Sequence, residues 1–490
     1  MKLGNYIWIL FLSLSAQDIS ASLAEYVIRG ELINYTKEQI EDLEIAAHKV
    51  LPSGQKTEKV FVSEDGSFQI TGVKYLDLNQ IWLSIGDFYY GEILVSKELG
   101  IQIDVDKLSD HKVRFYGEGV SFSGTDAEAT IIANQWTLHE RGNQLNLNRQ
   151  MQNSSSSELP LQDKVDTLRE VFLEYDRLKS EFMDNHQSEV IWIVEDKLKS
   201  EYFNELFLLS LYHKTDWDLY TQAISHQPRI MGNAGNLFYL YQGYFLKQTE
   251  IGKNIDELYQ NMIENLLKIN SSNRNYVILA SIPDDLNSRK KYLDMFLPLT
   301  TEKWAEEYLQ NVLISTQTQI EEINNNLAKS RELSVNSEIG RSHKEFPFGA
   351  QTYISEEEDV VSFLAGLQQK FKGKILIVDI WATWCMPCIG DMKDSKAIKE
   401  QLVEHNIEVV YVCTDQGSSV ETWNRRIAET KARGTHIYIN NELTTSLMQE
   451  FDLSGYPSYL VFDKEGIYHK GLVQRISNID IKHLEKEVGN

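Results

Sequence analysis

The chain is poor in cysteine, proline and positive charge. Three cysteines in 490 residues are too few for a disulfide-stapled scaffold. Cys385 and Cys388 stand together, whereas Cys413 lies on an apolar stretch and reads as a small buried core residue. No second ligand pair stands at zinc spacing from Cys385 and Cys388, so no metal is expected. With eight prolines in all, few positions can break a helix, and Pro228, Pro283 and Pro298 are the expected breaks in the middle of the chain. Lysine and arginine number 48 against 72 acidic residues, a net charge of -24. That balance argues against nucleic acid and against anionic membrane surfaces as partners, and is otherwise a solubility feature. No later segment approaches the roughly 18 uninterrupted apolar residues of a membrane span, so the mature protein is expected to be soluble.

The N-terminus is the exception to this polarity. Lys2 precedes the apolar run Tyr6–Leu14, and small residues follow, with cleavage expected after Ala16 or Ala24. Residues 1–24 therefore read as a secretory signal, and the protein as exported and periplasmic. An uncleaved anchor or a buried first strand is the alternative. No cysteine follows the apolar run, which argues against a lipid anchor.

Hydrophobic residues make up 42% and charged residues 24%, a globular composition for which this length gives two to four domains. The expected fold is multidomain, with an N-terminal all-β domain, a central α-helical region and a C-terminal α/β domain. Residues 25–124 alternate as half-buried strands do, at Ile93, Val95, Ile101, Ile103 and Val105, and Asp65-Gly66 reads as the turn of a hairpin. A β-sandwich-like domain fits. Residues 125–340 show apolar residues spaced by three and four, as at Val165, Leu168, Val171, Phe172 and Tyr175, or Tyr202, Leu206 and Leu209. Gln152–Pro160 reads as a polar linker. The aromatic set Phe238, Tyr239, Tyr241, Tyr244 and Phe245 reads as core, with a groove for an unfolded client as the alternative. Residues 341–490 begin with a lead-in and then alternate strand and helix, which gives a mixed sheet covered by helices.

The richest stretch is Trp381-Ala382-Thr383-Trp384-Cys385-Met386-Pro387-Cys388. It follows the apolar run Lys374–Ile380 and opens a helix-like segment. Two cysteines at that spacing and place make a redox site, because a helix N-terminus favours the anion and the second sulfur lies one turn away.

In these residues the chain resembles the thioredoxin superfamily, and specifically its TlpA/ResA branch of extracytoplasmic thiol-disulfide oxidoreductases. Asp379 stands where thioredoxins carry a buried acid. Trp381, Trp384 and Pro387 fill the W-x-x-W-C-x-P-C pattern, and Gly455-Tyr456-Pro457-Ser458 stands where a cis-proline precedes a β-hairpin. Asp391, three residues after Cys388, takes the place of the branch's usual glutamate. Two positions depart from the pattern. Lys393 stands where a proline is common, and the strand Glu408–Cys413 lacks the lysine that thioredoxin itself places near the buried acid. The preceding β region is similar to the domain that often precedes thioredoxin domains in secreted Bacteroidetes proteins.

The resemblance implies a thioredoxin fold over 341–490 and thiol-disulfide exchange without a cofactor. Cys385 would attack as thiolate, Cys388 would resolve the mixed disulfide, and Asp379 would take the Cys388 proton, with Asp391 the competing base. Pro457, if cis, would present the Tyr456 backbone to an extended client, and Trp384 would give apolar contact. The Met-Pro dipeptide lacks the histidine common in oxidants, which leans toward a reductase of disulfide-containing client proteins. Such a reductase needs a membrane thiol-reducing electron donor. Two rival readings stay open. One is a disulfide isomerase whose β and helical regions bind misfolded clients or form a homodimer. The other is a partner-binding protein that uses the thioredoxin domain as scaffold.

Overall fold

The computed structural model describes residues 23–36, 45–86, 89–108, 117, 119–142, 147–155, 158–210, 217–247 and 254–488. The apolar run expected as a signal lies outside them. The chain divides into two compact units, at Thr316 and Gln317.

The N-terminal unit begins with strands β1 (Glu25–Ile33), β2 (Ile45–Leu51), β3 (Gly54–Val60), β4 (Ser67–Val73), β5 (Leu78–Ile85), β6 (Tyr89–Val95), β7 (Glu98–Asp104) and β8 (Val120–Ser123). They form two sheets, ordered β4-β1-β7-β8 and β3-β2-β5-β6. Alternating inward residues of both, among them Ile28, Ile101, Ile45, Leu83 and Ile93, share one core, as expected of a sandwich. The Asp65-Gly66 turn exists, with Gly66 at φ +82°. It is not a hairpin, because β3 pairs with β2 whereas β4 pairs with β1. The chain crosses between sheets there, a choice of partner that a local turn signal does not encode.

The helices of this unit follow the apolar spacing. Leu161–Asn185 buries Val165, Leu168 and Tyr175, and Trp192–Leu209 buries Leu206 and Leu209. The segment expected as a linker is helical as far as Ser155. Phe238, Tyr239 and Phe245 are buried in the helical core with Trp136, Phe182 and Phe207. A short strand, β9 (Ile230–Met231), pairs in parallel with Leu78–Asn79 of β5.

The C-terminal unit carries strands β10 (Arg331–Glu332), β11 (Asn336–Ser337), β12 (Gly340–Glu345), β13 (Ala350–Ile354), β14 (Ile375–Trp381), β15 (Ile407–Thr414), β16 (Gly434–Ile439), β17 (Ser458–Phe462) and β18 (Tyr468–His469). Their order is β10-β12-β13-β16-β15-β14-β17-β18, with β11 paired to β12. The central strands β13, β16, β15 and β14 run parallel, and β17 returns antiparallel beside β14. The lead-in thus supplies strands of the same sheet. Every residue of β14 is buried, as in a central strand covered on both faces. The helix-like segment that the cysteines open is two helices, Met386–Asp394 and Lys396–Glu404, broken at Ser395.

Candidate functional site

Strand β14 delivers the chain to Cys385, which caps the helix Met386–Asp394. The Cys385 Sγ accepts a hydrogen bond from the Cys388 N–H at 3.2 Å. Pro387 follows in the first turn, where a missing N–H costs no helical bond. Cys385 and Cys388 are joined as a disulfide, with Cα atoms 5.3 Å apart. Cys385 keeps 4% exposure and Cys388 none, so Cys385 is the more open of the two. When the bond is reduced, the same N–H and the helix N-terminus stabilise a Cys385 thiolate.

The Tyr456–Pro457 peptide is cis. Trp384 is 55% exposed, and its ring meets that of Tyr456 edge-on at 5.6 Å. The cis-proline loop and the cysteine segment therefore adjoin. The segment before Cys385 is pinned as well. The Thr383 N–H and hydroxyl both donate to Ser418 Oγ, at 3.1 and 3.0 Å, and Arg426 Nε donates to the Thr383 carbonyl at 3.1 Å.

Asp379 is fully buried in β14, and neither of its carboxyl oxygens has a hydrogen-bond partner. Burial pushes its pKa well above the ordinary carboxylate range; the nearby Asp391 adds to this and Lys399 opposes it. Asp391 is different. Its Oδ2 accepts from the Tyr459 hydroxyl at 2.7 Å and the Ile476 N–H at 2.9 Å, while Oδ1 accepts from the Ser477 N–H at 3.1 Å and hydroxyl at 2.6 Å. Four bonds tie this carboxylate to β17 and to the turn Ile476–Asn478.

Strand register adds residues that the sequence reading missed. Tyr459, Asp379, Tyr411, His436 and Thr352 stand opposite one another across five neighbouring strands, which puts them on one face of the sheet. His436 stacks on Tyr411 at 4.6 Å, and its Nε2 meets the Ala432 carbonyl at 2.8 Å. Burial lowers its pKa to about 3. Lys399, from the second helix, places its ammonium 4.5 Å from the Tyr411 ring centroid and donates to the Arg433 carbonyl at 2.8 Å. Burial lowers its pKa to about 8, against the pull of Asp379 and Glu408. The lysine missing from β15 thus has a counterpart on a helix. Its only sequence signal was a basic residue on an amphipathic helix, which ordinarily marks a solvated face. Cys413 is buried in β15 opposite Trp381. Among the described residues no group of three or more His, Cys, Asp or Glu could hold a metal, and no helix is long and apolar enough to cross a membrane.

Residues 373–468 match a protein family described as thioredoxin-like. This region is a thioredoxin-like domain. A curated relative, the thioredoxin-like protein YneN of Bacillus subtilis, is 25% identical over 99 residues, 20% of this chain. The chain spans 56% of that relative's length. Similar solved structures include the thioredoxin domain of a thiol-disulfide oxidoreductase from Bacteroides vulgatus, 21% identical over 24% of this chain and 83% of that one, with a TM-score of 0.22. StoA from Bacillus subtilis is 19% identical over 20% of this chain and 72% of its own, with a TM-score of 0.18. The thioredoxin-like domain lies in the C-terminal unit, and the two sheets and helices of the N-terminal unit precede it.

Proposed function

We propose that the chain is an extracytoplasmic thiol-disulfide oxidoreductase that reduces disulfides in client proteins. The observation that carries this reading is the Cys385–Cys388 disulfide at a helix N-terminus in a thioredoxin-like domain, beside a cis-proline loop. In the reduced protein the Cys385 thiolate attacks one client sulfur, and the other client sulfur leaves as thiolate. Cys388, losing its proton, then attacks Cys385 Sγ. The internal disulfide forms and the second client thiolate departs. Two electrons pass from the dithiol to the client, and an external dithiol, of the membrane thiol-reducing kind, restores the reduced pair.

Asp379 is the proton acceptor in this scheme. It is buried, unpaired and of raised affinity for a proton, so it can take the Cys388 proton directly or through water. Asp391 already accepts four hydrogen bonds, and protonating it would break donors away from it. It serves as an anchor. Pro457 offers no N–H at the edge where an extended client would lie, and Trp384 and Tyr456 supply apolar contact.

The test is the reduction potential of the Cys385–Cys388 couple in glutathione or dithiothreitol buffers. A value near or below about -250 mV supports a reductase; a value above about -180 mV would place the protein among isomerases and oxidants and overturn the direction of transfer.

A further inference from the structure

The two aromatic side chains beside Cys385 are held by one residue of the loop after β15. The Gln416 carbonyl accepts the Trp384 indole N–H at 2.7 Å, and Gln416 Oε1 accepts the Tyr456 hydroxyl at 3.1 Å. Its side-chain amide donates to Asn441 Oδ1 at 3.1 Å. Asn441 opens the helix Asn441–Glu450, so this third bond braces the loop against a rigid element. The next residue, Gly417, has φ +66°, and a Cβ there would lie 3.0 Å from Trp384 Nε1. Any side chain at 417 would crowd the indole as well as strain the backbone. Behind this seat, Ser418 receives the Thr383 N–H and hydroxyl, and the Ser418 carbonyl accepts the Tyr438 hydroxyl at 2.6 Å. Trp384 and Tyr456 come from different parts of the chain, and each is partly open to solvent. Side chains so placed change rotamer readily unless something fixes them.

We propose that Gln416 is a positioning residue for client recognition. By fixing Trp384 and Tyr456 as one aromatic pair, it makes the site favour a disulfide carried on an extended polypeptide with apolar neighbours over a small-molecule disulfide. The inference rests on the exchange activity proposed above. Its physical basis is preorganisation: an aromatic pair ordered before the client arrives spares the client the entropy of ordering it. A small disulfide touches only the sulfur atoms and does not use the pair. Gln416 touches no reacting atom, and its effect passes through Trp384 and Tyr456.

The experiment compares the full-length reduced protein with Gln416→Met, Tyr456→Phe and the double variant, with Gln416→Glu as the conservative control. Turnover, with dithiothreitol regenerating the dithiol and its uncatalysed rate subtracted, is followed with a reducible protein, insulin, and with a small aliphatic disulfide. Gln416→Met should raise KM for insulin by about fivefold, the size of one or two modest hydrogen bonds, with little change in kcat. Its loss in kcat/KM should be several times larger for insulin than for the small disulfide. Gln416→Glu keeps an acceptor for Tyr456 and should recover most of the loss. Adding Tyr456→Phe to Gln416→Met should cost little more, because the Tyr456–Gln416 bond is already lost in Gln416→Met. Gln416→Met keeps the main-chain carbonyl that accepts the Trp384 indole, so acrylamide quenching of Trp384, isolated by subtracting a Trp384→Phe variant in each background, should rise modestly, through the freed Tyr456 ring and the lost Asn441 brace. Equal losses for both disulfides, or additive losses in the double variant, would overturn the positioning role while leaving exchange intact. A wild-type protein inert toward both disulfides would instead overturn the proposed activity itself.

Discussion

Asp379 and Asp391 are two buried acids of one site, and replacing each by asparagine separates the proposed proton acceptor from the proposed anchor. Asp391→Asn leaves one carbonyl oxygen where two carboxylate oxygens accept four hydrogen bonds, and turns an NH2 group toward donors. Whichever way the amide sits, two donors lose their acceptor. Hydrogen bonds to a charged group contribute about 1.5–3 kcal/mol each, and the Tyr459 hydroxyl can rotate to recover part of its loss. About 3 kcal/mol is the expected net cost, falling on the turn that contains Ile476 and Ser477. At 1.4 kcal/mol per factor of ten, those amides should exchange with solvent roughly a hundredfold faster. Asp379→Asn breaks no hydrogen bond and should leave them protected. The kinetic prediction runs the other way. Asp379→Asn should slow the resolution of a Cys385 mixed disulfide at neutral pH and remove the pH midpoint of that step. Asp391→Asn takes away a negative charge that raises the Asp379 pKa. The midpoint should therefore move to lower pH and persist. Hydrogen exchange followed by mass spectrometry, and stopped-flow resolution between about pH 5 and 9, read the two effects separately. If Asp391→Asn left Ile476 and Ser477 protected to within threefold while abolishing the midpoint, the assignment of anchor and acceptor would be reversed.

Other regions make independent predictions. His436 has its pKa lowered to about 3 from 6.5, so its contribution to stability is complete above about pH 6.5 and is lost as pH falls toward 3. By pH 5 the loss is about 2 kcal/mol, and His436→Gln should flatten this acid limb in urea titrations of the C-terminal unit. Cys413 is buried, and burial pushes its thiol pKa well up; iodoacetamide should label Cys385 first in the reduced native protein and Cys413 only after denaturation, and early labelling of Cys413 would contradict its place in the core. In the N-terminal unit, the Asp126 carboxylate accepts the backbone N–H groups of Ser96, Lys97 and Glu98 at 2.9, 2.7 and 2.8 Å. Asp126→Ala should destabilise that unit by about 2–4 kcal/mol, read as a lower denaturation midpoint.

Periodicity and short motifs determined much of this protein. The spacing of Val165, Leu168 and Tyr175 is enough to specify a helix and its buried face, because side chains three and four apart share a side whatever they pack against. The same holds for β14, whose apolar run, interrupted only by Asp379, marks a strand covered on both faces. The cysteines, Trp384 and Pro387 were legible because they lie within one turn of chain, where local geometry alone brings them together. Tertiary structure decided what depends on partners far apart in sequence. Asp65-Gly66 makes the expected turn, yet the strands on either side join different sheets, and no local signal distinguishes a hairpin from a crossover. Asp391 reads from the sequence as a competing base, and only the fold brings Tyr459, Ile476 and Ser477 to its carboxylate. Lys399 and Tyr411 meet only after a helix has folded back onto the sheet, and Gln416 acquires its place only when the cis-proline loop arrives beside Trp384. Sequence sets which face of each element is apolar, because that is a property of a few neighbouring residues. Which buried polar groups find partners is set by the packing of whole elements, and the character of the site's acids depends on that packing.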